Sequence, residues 1–431
     1  MGICPSPDRC RQDGWGFRLN ENPVRAYFAV TLAYWSFMLT DGALRMLVLL
    51  HFHTLGFSPI QLAYLFLLYE IAGIITNLGA GWLAARFGLT RTLYLGLSVQ
   101  IAALVALTFL EPAWSIAASV AFVMMVQGAA GVAKDLTKMS SKSAVKLLVP
   151  KSGGGLFKWV ALLTGSKNAV KGLGFFLGAG ALGVFGFIPT LWGMAGFLVA
   201  VLLAILVFMP SGLPAGRQGV KFSQVFSRQP AINWLSAARV FLFGARDVWF
   251  VVGLPIYFTS LLSDGSAAGN REAFFLTGGF MAIWIILYGA VQASAPKFLG
   301  ATHDLPAMRR LAVRWAGWLF IIMLGLVGAS LSGSGWHFTT LLILGLLVFG
   351  AVFAVNSSLH SYLVLALSKS KDVTMDVGFY YMANAAGRLL GTLLSGLSYQ
   401  VGGLTLTLSV AAVMVALSWL FAKRLSQLEI A

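Results

Sequence analysis

The sequence predicts an all-α membrane protein of about twelve spans arranged as two six-span bundles. Three observations carry that prediction: extreme apolarity, apolar runs of span length, and a one-sided distribution of basic loops. The chain has 431 residues, 58% of them hydrophobic and only 10% charged, with a mean hydropathy of +0.84. A soluble domain carries about 25% charged residues and needs more polar surface than this composition supplies. A membrane-crossing helix needs about 20 apolar residues, so twelve of them use most of the length and leave no room for a second soluble domain.

Apolar runs punctuated by Pro, Gly or basic residues give spans near 24–50, 58–84, 91–110, 113–134, 156–184, 188–209, 231–261, 273–295, 311–331, 337–366, 375–398 and 402–422. Uninterrupted runs of this length favour helices over barrel strands, because backbone in lipid must satisfy its own hydrogen bonds. The first run, from Val24, is too long for a signal-peptide core and is read as a true span.

Charge sets the orientation. Arg9, Arg11, Arg18 and Arg25, then Arg86 and Arg91, then Lys142, Lys146 and Lys151, and so on to Lys423 and Arg424, fall on one side. The alternate connections hold only Arg271. Basic loops stay in the cytoplasm, so both termini are expected there, across a bacterial inner membrane. The basic connection 210–230 divides the chain into a tail 1–23, a six-helix bundle 24–209, a linker 210–230, a second bundle 231–422 and a tail 423–431. The halves echo each other at Gly42-Ala43-Leu44-Arg45 and Gly244-Ala245-Arg246-Asp247, as expected of repeats with a binding site between them.

The net charge of +16 also reaches into the spans. A basic residue at mid-span costs about 2.5–3.5 kcal/mol on insertion scales, so each needs a wet surface or a partner. Arg45, Lys167, Lys171, Arg239, Arg246 and Arg388 stand at such positions, against the span acids Asp41, Glu70, Asp247 and Asp376. Asp41 and Arg45 lie four apart and share a helix face, which fits either a structural pair or a transport role. Arg246 and Asp247 diverge by about 100° and are expected to need separate partners. At least two cations are then left over, which suits a site for anions, since guanidinium forks match phosphate and carboxylate oxygens.

Arg45 and Arg246 are therefore expected to clamp substrate, with Lys167, Lys171, Arg388 and Asn384 adding field and contacts. Asp41, Glu70 and Asp247 are the candidates for carrying a coupling proton. Lys167 and Lys171 share a face with Gly174 and Gly178, a pattern that also suits tight helix packing. Lys134, Lys138, Lys142 and Lys146 repeat every four residues and read first as a cytoplasmic helix end, with an anion funnel as the sharper alternative. Span 10 carries Asn356 and His360, and span 11 carries Asp376, Tyr380, Asn384 and Arg388. His51 and His53 read as a solvated pair at the outer end of span 1.

Several classes are excluded. No GxxxxGK[ST] loop is present, so ATP is not expected to drive the protein. There is no HExxH and no Cys/His cluster, so neither a metal nor any other cofactor is expected. Cys4 and Cys10 lie together in the N-terminal tail and read as free thiols.

Gly81-Trp82-Leu83-Ala84-Ala85-Arg86-Phe87-Gly88-Leu89-Thr90-Arg91 resembles the loop between spans 2 and 3 of the major facilitator superfamily, written G-x-L-a-D-R-x-G-R-R. Gly81, Leu83, Arg86, Gly88 and Arg91 match, and Ala85 replaces the usual Asp. The resemblance implies the major facilitator fold and a cytoplasmic gating role for this loop. Four longer strings are similar to the organoarsenical efflux permeases of the ArsJ type: Tyr34-Trp35, continuing at Thr40-Asp41-Gly42-Ala43-Leu44-Arg45 as far as His53; 133–140; 163–169; and 243–252. Residues 1–22 lie outside it. That likeness implies an exporter of 1-arseno-3-phosphoglycerate, which a glyceraldehyde-3-phosphate dehydrogenase makes when arsenate replaces phosphate. Proton-coupled antiport giving arsenate resistance is implied with it. The residues themselves argue only for a small anion, and an ordinary organophosphate exchanger stays open on that ground.

Overall fold

The computed structural model describes residues 23–87, 89–111, 113–148, 155–209, 229–299, 304–333, 335–368 and 373–428. It is helical throughout these segments. The helices are α1 (Pro23–Thr54), α2 (Pro59–Tyr64), α3 (Leu67–Phe87), α4 (Leu89–Leu107), α5 (Ile116–Leu148), α6 (Gly155–Phe185), α7 (Phe187–Phe208), α8 (Pro230–Val248), α9 (Leu254–Leu262), α10 (Ala267–Leu299), α11 (Leu305–Ser332), α12 (Trp336–Leu367) and α13 (Val373–Gln427). Ten helical stretches are long and apolar enough to cross a membrane, which makes this a multi-pass membrane protein. The last of them breaks at Gly402 and Gly403, where Gly403 takes φ +59° and ψ −153°, a conformation that a side chain would strain. With that break counted, eleven stretches of span length are described, and α1, 32 residues long, is long enough to be a further one.

Span 2 is two pieces. Ser58 opens α2 with a capping box: its hydroxyl accepts from the Gln61 backbone N–H, and its own N–H donates to Gln61 Oε1 at 2.8 Å. The helix restarts at Leu67. Span 7 is also irregular. A five-residue π-helical stretch, Trp249–Gly253, joins α8 to α9 and starts two residues after Asp247. Ser395 Oγ of α13 accepts from the Val252 and Gly253 N–H groups at 3.1 Å each. Single-turn π segments inside α-helices are often found at functional sites.

Small residues set the closest packing. A Cβ at Gly174 or Gly178 of α6 would strike the Leu39 or Ala43 carbonyl of α1, and one at Gly387 or Gly391 of α13 would strike the Val240 or Gly244 carbonyl of α8. The expected glycine face of span 5 is thus a helix-packing face. The two halves also meet directly. Gly172, Gly180 and Gly183 of α6 pack on Ala282, Phe275 and Arg271 of α10, and Gly396 of α13 packs on Pro59 and Ala63 of α2. At the end where α1 finishes, Arg271 Nε donates to the Gly183 carbonyl at 2.9 Å, and Ile60 N–H donates to Gln400 Oε1 at 3.2 Å. The two halves are thus hydrogen-bonded to each other at that end. The expected linker 210–230 lies almost wholly outside the described residues.

Candidate functional site: a charged core between the two halves

The centre of the molecule holds a chain of alternating charges. Arg45 of α1 reaches Glu70 of α3 at 3.3 Å, and Glu70 also binds Arg388 of α13 at 2.6 Å. Arg388 continues to Asp247 of α8 at 3.3 Å, and Asp247 closes the chain on Arg246, whose Nε donates at 2.6 Å. Arg388 is thus a bridge from α13 to both halves. Beside this chain, Lys171 of α6 binds Asp41 of α1 at 3.0 Å, and the Tyr69 hydroxyl donates to the other Asp41 oxygen at 2.5 Å. The Lys134 ammonium of α5 lies 3.9 Å from the centre of the Tyr69 ring. Its neighbour Asp135 accepts from Lys138 at 2.7 Å and from the Thr76 hydroxyl at 2.7 Å, and Lys138 also donates to Asn77 at 2.9 Å.

Six basic side chains (Arg45, Lys134, Lys138, Lys171, Arg246, Arg388) thus meet four carboxylates (Asp41, Glu70, Asp135, Asp247). Two positive charges are in excess. Lys134 has no carboxylate within 4.0 Å among the described residues, and the aromatic face beneath it supplies a cation–π contact instead. The cations also hold what access the cluster has. The side chains of Arg45, Lys171, Arg246 and Arg388 are 12–17% exposed, and those of their acid partners 1–3%. The basic groups are thus the more exposed side of each pair, and the acids are held behind them.

Several expectations need correction. Asp41 and Arg45 do not pair along their helix; each takes a partner from another helix. Arg246 and Asp247 do not need separate partners, because the long Arg side chain folds back onto its neighbour's carboxylate. Asp376 stays out of the network and accepts from Gln229 at 3.2 Å. Asp135, overlooked among the span acids, belongs to it. Lys134 and Lys138 are not a solvated helix end: α5 runs on to Leu148, which places both in the core. His51 stacks on Phe187 at 4.0 Å between ring centres, so it is packed and not simply solvated.

Lys167 lies partly buried one turn from Lys171 on α6, within a stretch where Ser166 accepts from Trp35 at 3.0 Å and Asn168 donates to Gln292 at 3.0 Å. Asn384 accepts from Arg239 Nε at 2.9 Å. Of the expected gating loop, Gly81 and Arg86 lie near the end of α3 with side chains outside the described residues. Gly88 lies outside them too, and Arg91 is exposed on α4. Lys142 and Lys146 have side chains outside the described residues as well. The sequence signal that could have found Asp135 is its place beside Lys134 in a run that α5 carries into the core.

No family model and no curated protein matches the sequence. Solved structures do match over nearly the whole chain. A POT family transporter in complex with a thioalcohol-conjugated peptide superposes with a TM-score of 0.72 at 14% identity, covering 93% of this chain and 96% of that one. A bacterial homologue of the iron transporter ferroportin, in an inward-facing state, gives 0.70 at 13% identity, covering 94% and 99%. The nucleoside transporter NupG, solved as a point mutant, gives 0.68 at 16% identity, covering 93% and 98%. With twelve spans in two packed halves and a charged core between them, the chain has the fold of major-facilitator-type transporters.

Proposed function

We propose that this protein is a secondary transporter of small, highly charged organic anions, and that it exports 1-arseno-3-phosphoglycerate from the bacterial cytoplasm in exchange for protons. The single observation that carries the anion reading is the cationic excess of the core, with its basic side chains accessible and its acids withdrawn. A peptide transporter of this fold has been solved in complex with sulfate. The arsenical and its export rest on the sequence likeness to organoarsenical permeases.

The mechanism follows from the bridge. Arg45 and Arg246 contribute one guanidinium from each half, and Arg388 ties Glu70 of one half to Asp247 of the other. An anion that takes hydrogen bonds from these guanidiniums competes with the carboxylates for them and loosens the tie. A proton arriving at Glu70, Asp247 or Asp41 would loosen it from the acid side. The halves can then rock about the bound anion. With both termini cytoplasmic, the end where Arg271 and Ile60 join the halves would be the outer one. Lys134 and Lys138 lie in the core and offer no docking surface to a glyceraldehyde-3-phosphate dehydrogenase. The enzyme remains the proposed source of substrate.

The test is arsenic accumulation in arsenate-exposed cells stripped of their own resistance genes. The cells express this chain with and without the dehydrogenase, and Arg246→Ala runs beside it. Low arsenic only with both proteins, lost in the variant, is the expected result. Equal arsenic in all strains, with the protein present in the membrane, rejects the arsenical and leaves another organophosphate as cargo.

A further inference from the structure

Every carboxylate of the core already has a cation in contact. Asp41 has Lys171, Asp135 has Lys138, Glu70 has Arg45 and Arg388, and Asp247 has Arg246 and Arg388. Five cations thus answer four acids. An anion reaches any of the five only by competing with an acid whose side chain is at most 3% exposed. Taking the cation away leaves that buried carboxylate with less compensation, which is costly.

Lys134 of α5 is the exception. Among the described residues it has neither a carboxylate within 4.0 Å nor a hydrogen bond, and its ammonium rests against the Tyr69 ring, 3.9 Å from the centre. A ring face stabilises the charge and offers no acceptor atom to the N–H donors. One turn along α3 from Tyr69, Gly73 presents no side chain: a Cβ there would come 3.9 Å from the ammonium. The charges around Lys134, beyond contact, are Asp135 on its own helix, Asp41 of α1, Glu70 of α3 and Arg388 of α13. Arg388 is the bridge between the halves, so the free ammonium stands in the same electrostatic neighbourhood as the bridge.

The charge balance argues against a structural role for Lys134. The four acids are answered without it, and the core keeps an excess of positive charge. A lone cation within a span is costly, and such a cost is commonly borne where function needs it. An oxyanion would give the ammonium both an acceptor and a counter-charge, and binding it would break no ion pair.

We infer that Lys134 is the residue on which the transported anion docks first, and that from there the anion draws Arg388 away from Glu70 and Asp247. The inference rests on the anion-transport reading and does not depend on arsenic or on direction.

Thermal midpoints and calorimetry on the purified full chain in detergent test it, with glycerol 3-phosphate and inorganic phosphate as probes. Lys134→Met removes a charge that has no contact partner, so the ligand-free midpoint is expected to rise by a few degrees. The same change is expected to weaken both probes about tenfold or more. Lys134→Arg keeps the charge and should regain most of the affinity. Lys138→Met, which strips Asp135 of its contact cation, should instead lower the midpoint. Wild-type affinity in Lys134→Met overturns the docking role while the anion reading stands. So does a ligand-free midpoint that falls as far as that of Lys138→Met, or failure of Lys134→Met to fold, since either marks a structural cation. Binding of neither probe by the wild type overturns both.

Discussion

The α1–α6 pair and the α8–α13 pair share one backbone plan and carry different charges. In each, two glycines four residues apart on one helix meet the carbonyls of residues four apart on the other: Gly174 and Gly178 on Leu39 and Ala43, Gly387 and Gly391 on Val240 and Gly244. Laying one clasp on the other carries Arg45 onto Arg246. It also carries Lys171 onto Asn384, Asp41 onto Leu242 and Met38 onto Arg239. The arginines that face each other across the core are thus equivalent. Around them, one half neutralises itself with the Asp41–Lys171 pair, and the other spends the equivalent Asn384 on Arg239, which has no carboxylate. The halves are alike in their glycine packing and in Arg45 and Arg246, and they differ in the residues around those arginines.

The largest effects should come from the equivalent arginines. Arg45→Ala and Arg246→Ala each strip a partner from a buried carboxylate, a change that typically costs 2–5 kcal/mol. Each should lower transport about a hundredfold or more, and by similar factors. A large inequality in vesicle transport rates would break the equivalence. Next comes the bridge. Arg388→Gln leaves Glu70 to Arg45 and Asp247 to Arg246, so folding survives while the tie between halves is lost. Transport should fall about tenfold. Hydrogen exchange should speed up in α3 near Glu70 and stay unchanged in α4.

The clasps themselves predict a smaller, paired effect. Gly178→Val and Gly391→Val overpack equivalent contacts and should each cost about 1–3 kcal/mol, read as similar drops in the thermal midpoint in detergent. The smallest effect is expected from Lys171→Arg, which keeps a cation against Asp41. Asp41 also keeps its hydrogen bond from Tyr69, so the protein should fold and lose only a fewfold in transport rate.

Composition and loop charge were enough to read the spans, because lipid leaves the backbone few alternatives. Arg45 and Arg246 were legible because an arginine in an apolar run must have a reason. The pairings were not legible. Spacing rules report neighbours on one helix, such as Asp41 and Arg45, while Arg45 finds Glu70 at 25 residues' separation and Asp41 finds Lys171 at 130. The echo between halves was also read one residue out of step. It matched Gly42 with Gly244, whereas the glycine clasps align Ala43 with Gly244 and Arg45 with Arg246. Asp135 was hidden by the lysines beside it, which read as a helix end because the sequence does not show how far α5 carries them into the core.

The reading most directly open to test is that the cationic core carries 1-arseno-3-phosphoglycerate across the membrane. Everted vesicles, which present the cytoplasmic face outward, test it most directly. Vesicles containing this chain are supplied with arsenate, glyceraldehyde 3-phosphate, NAD and the dehydrogenase, so that the labile ester forms at the transporter, and the arsenic trapped inside is counted. Arsenic uptake that requires the dehydrogenase and is abolished together by Arg45→Ala and Arg246→Ala is the predicted result. Uptake no greater than in vesicles lacking the chain, or uptake that both variants preserve, would contradict the claim.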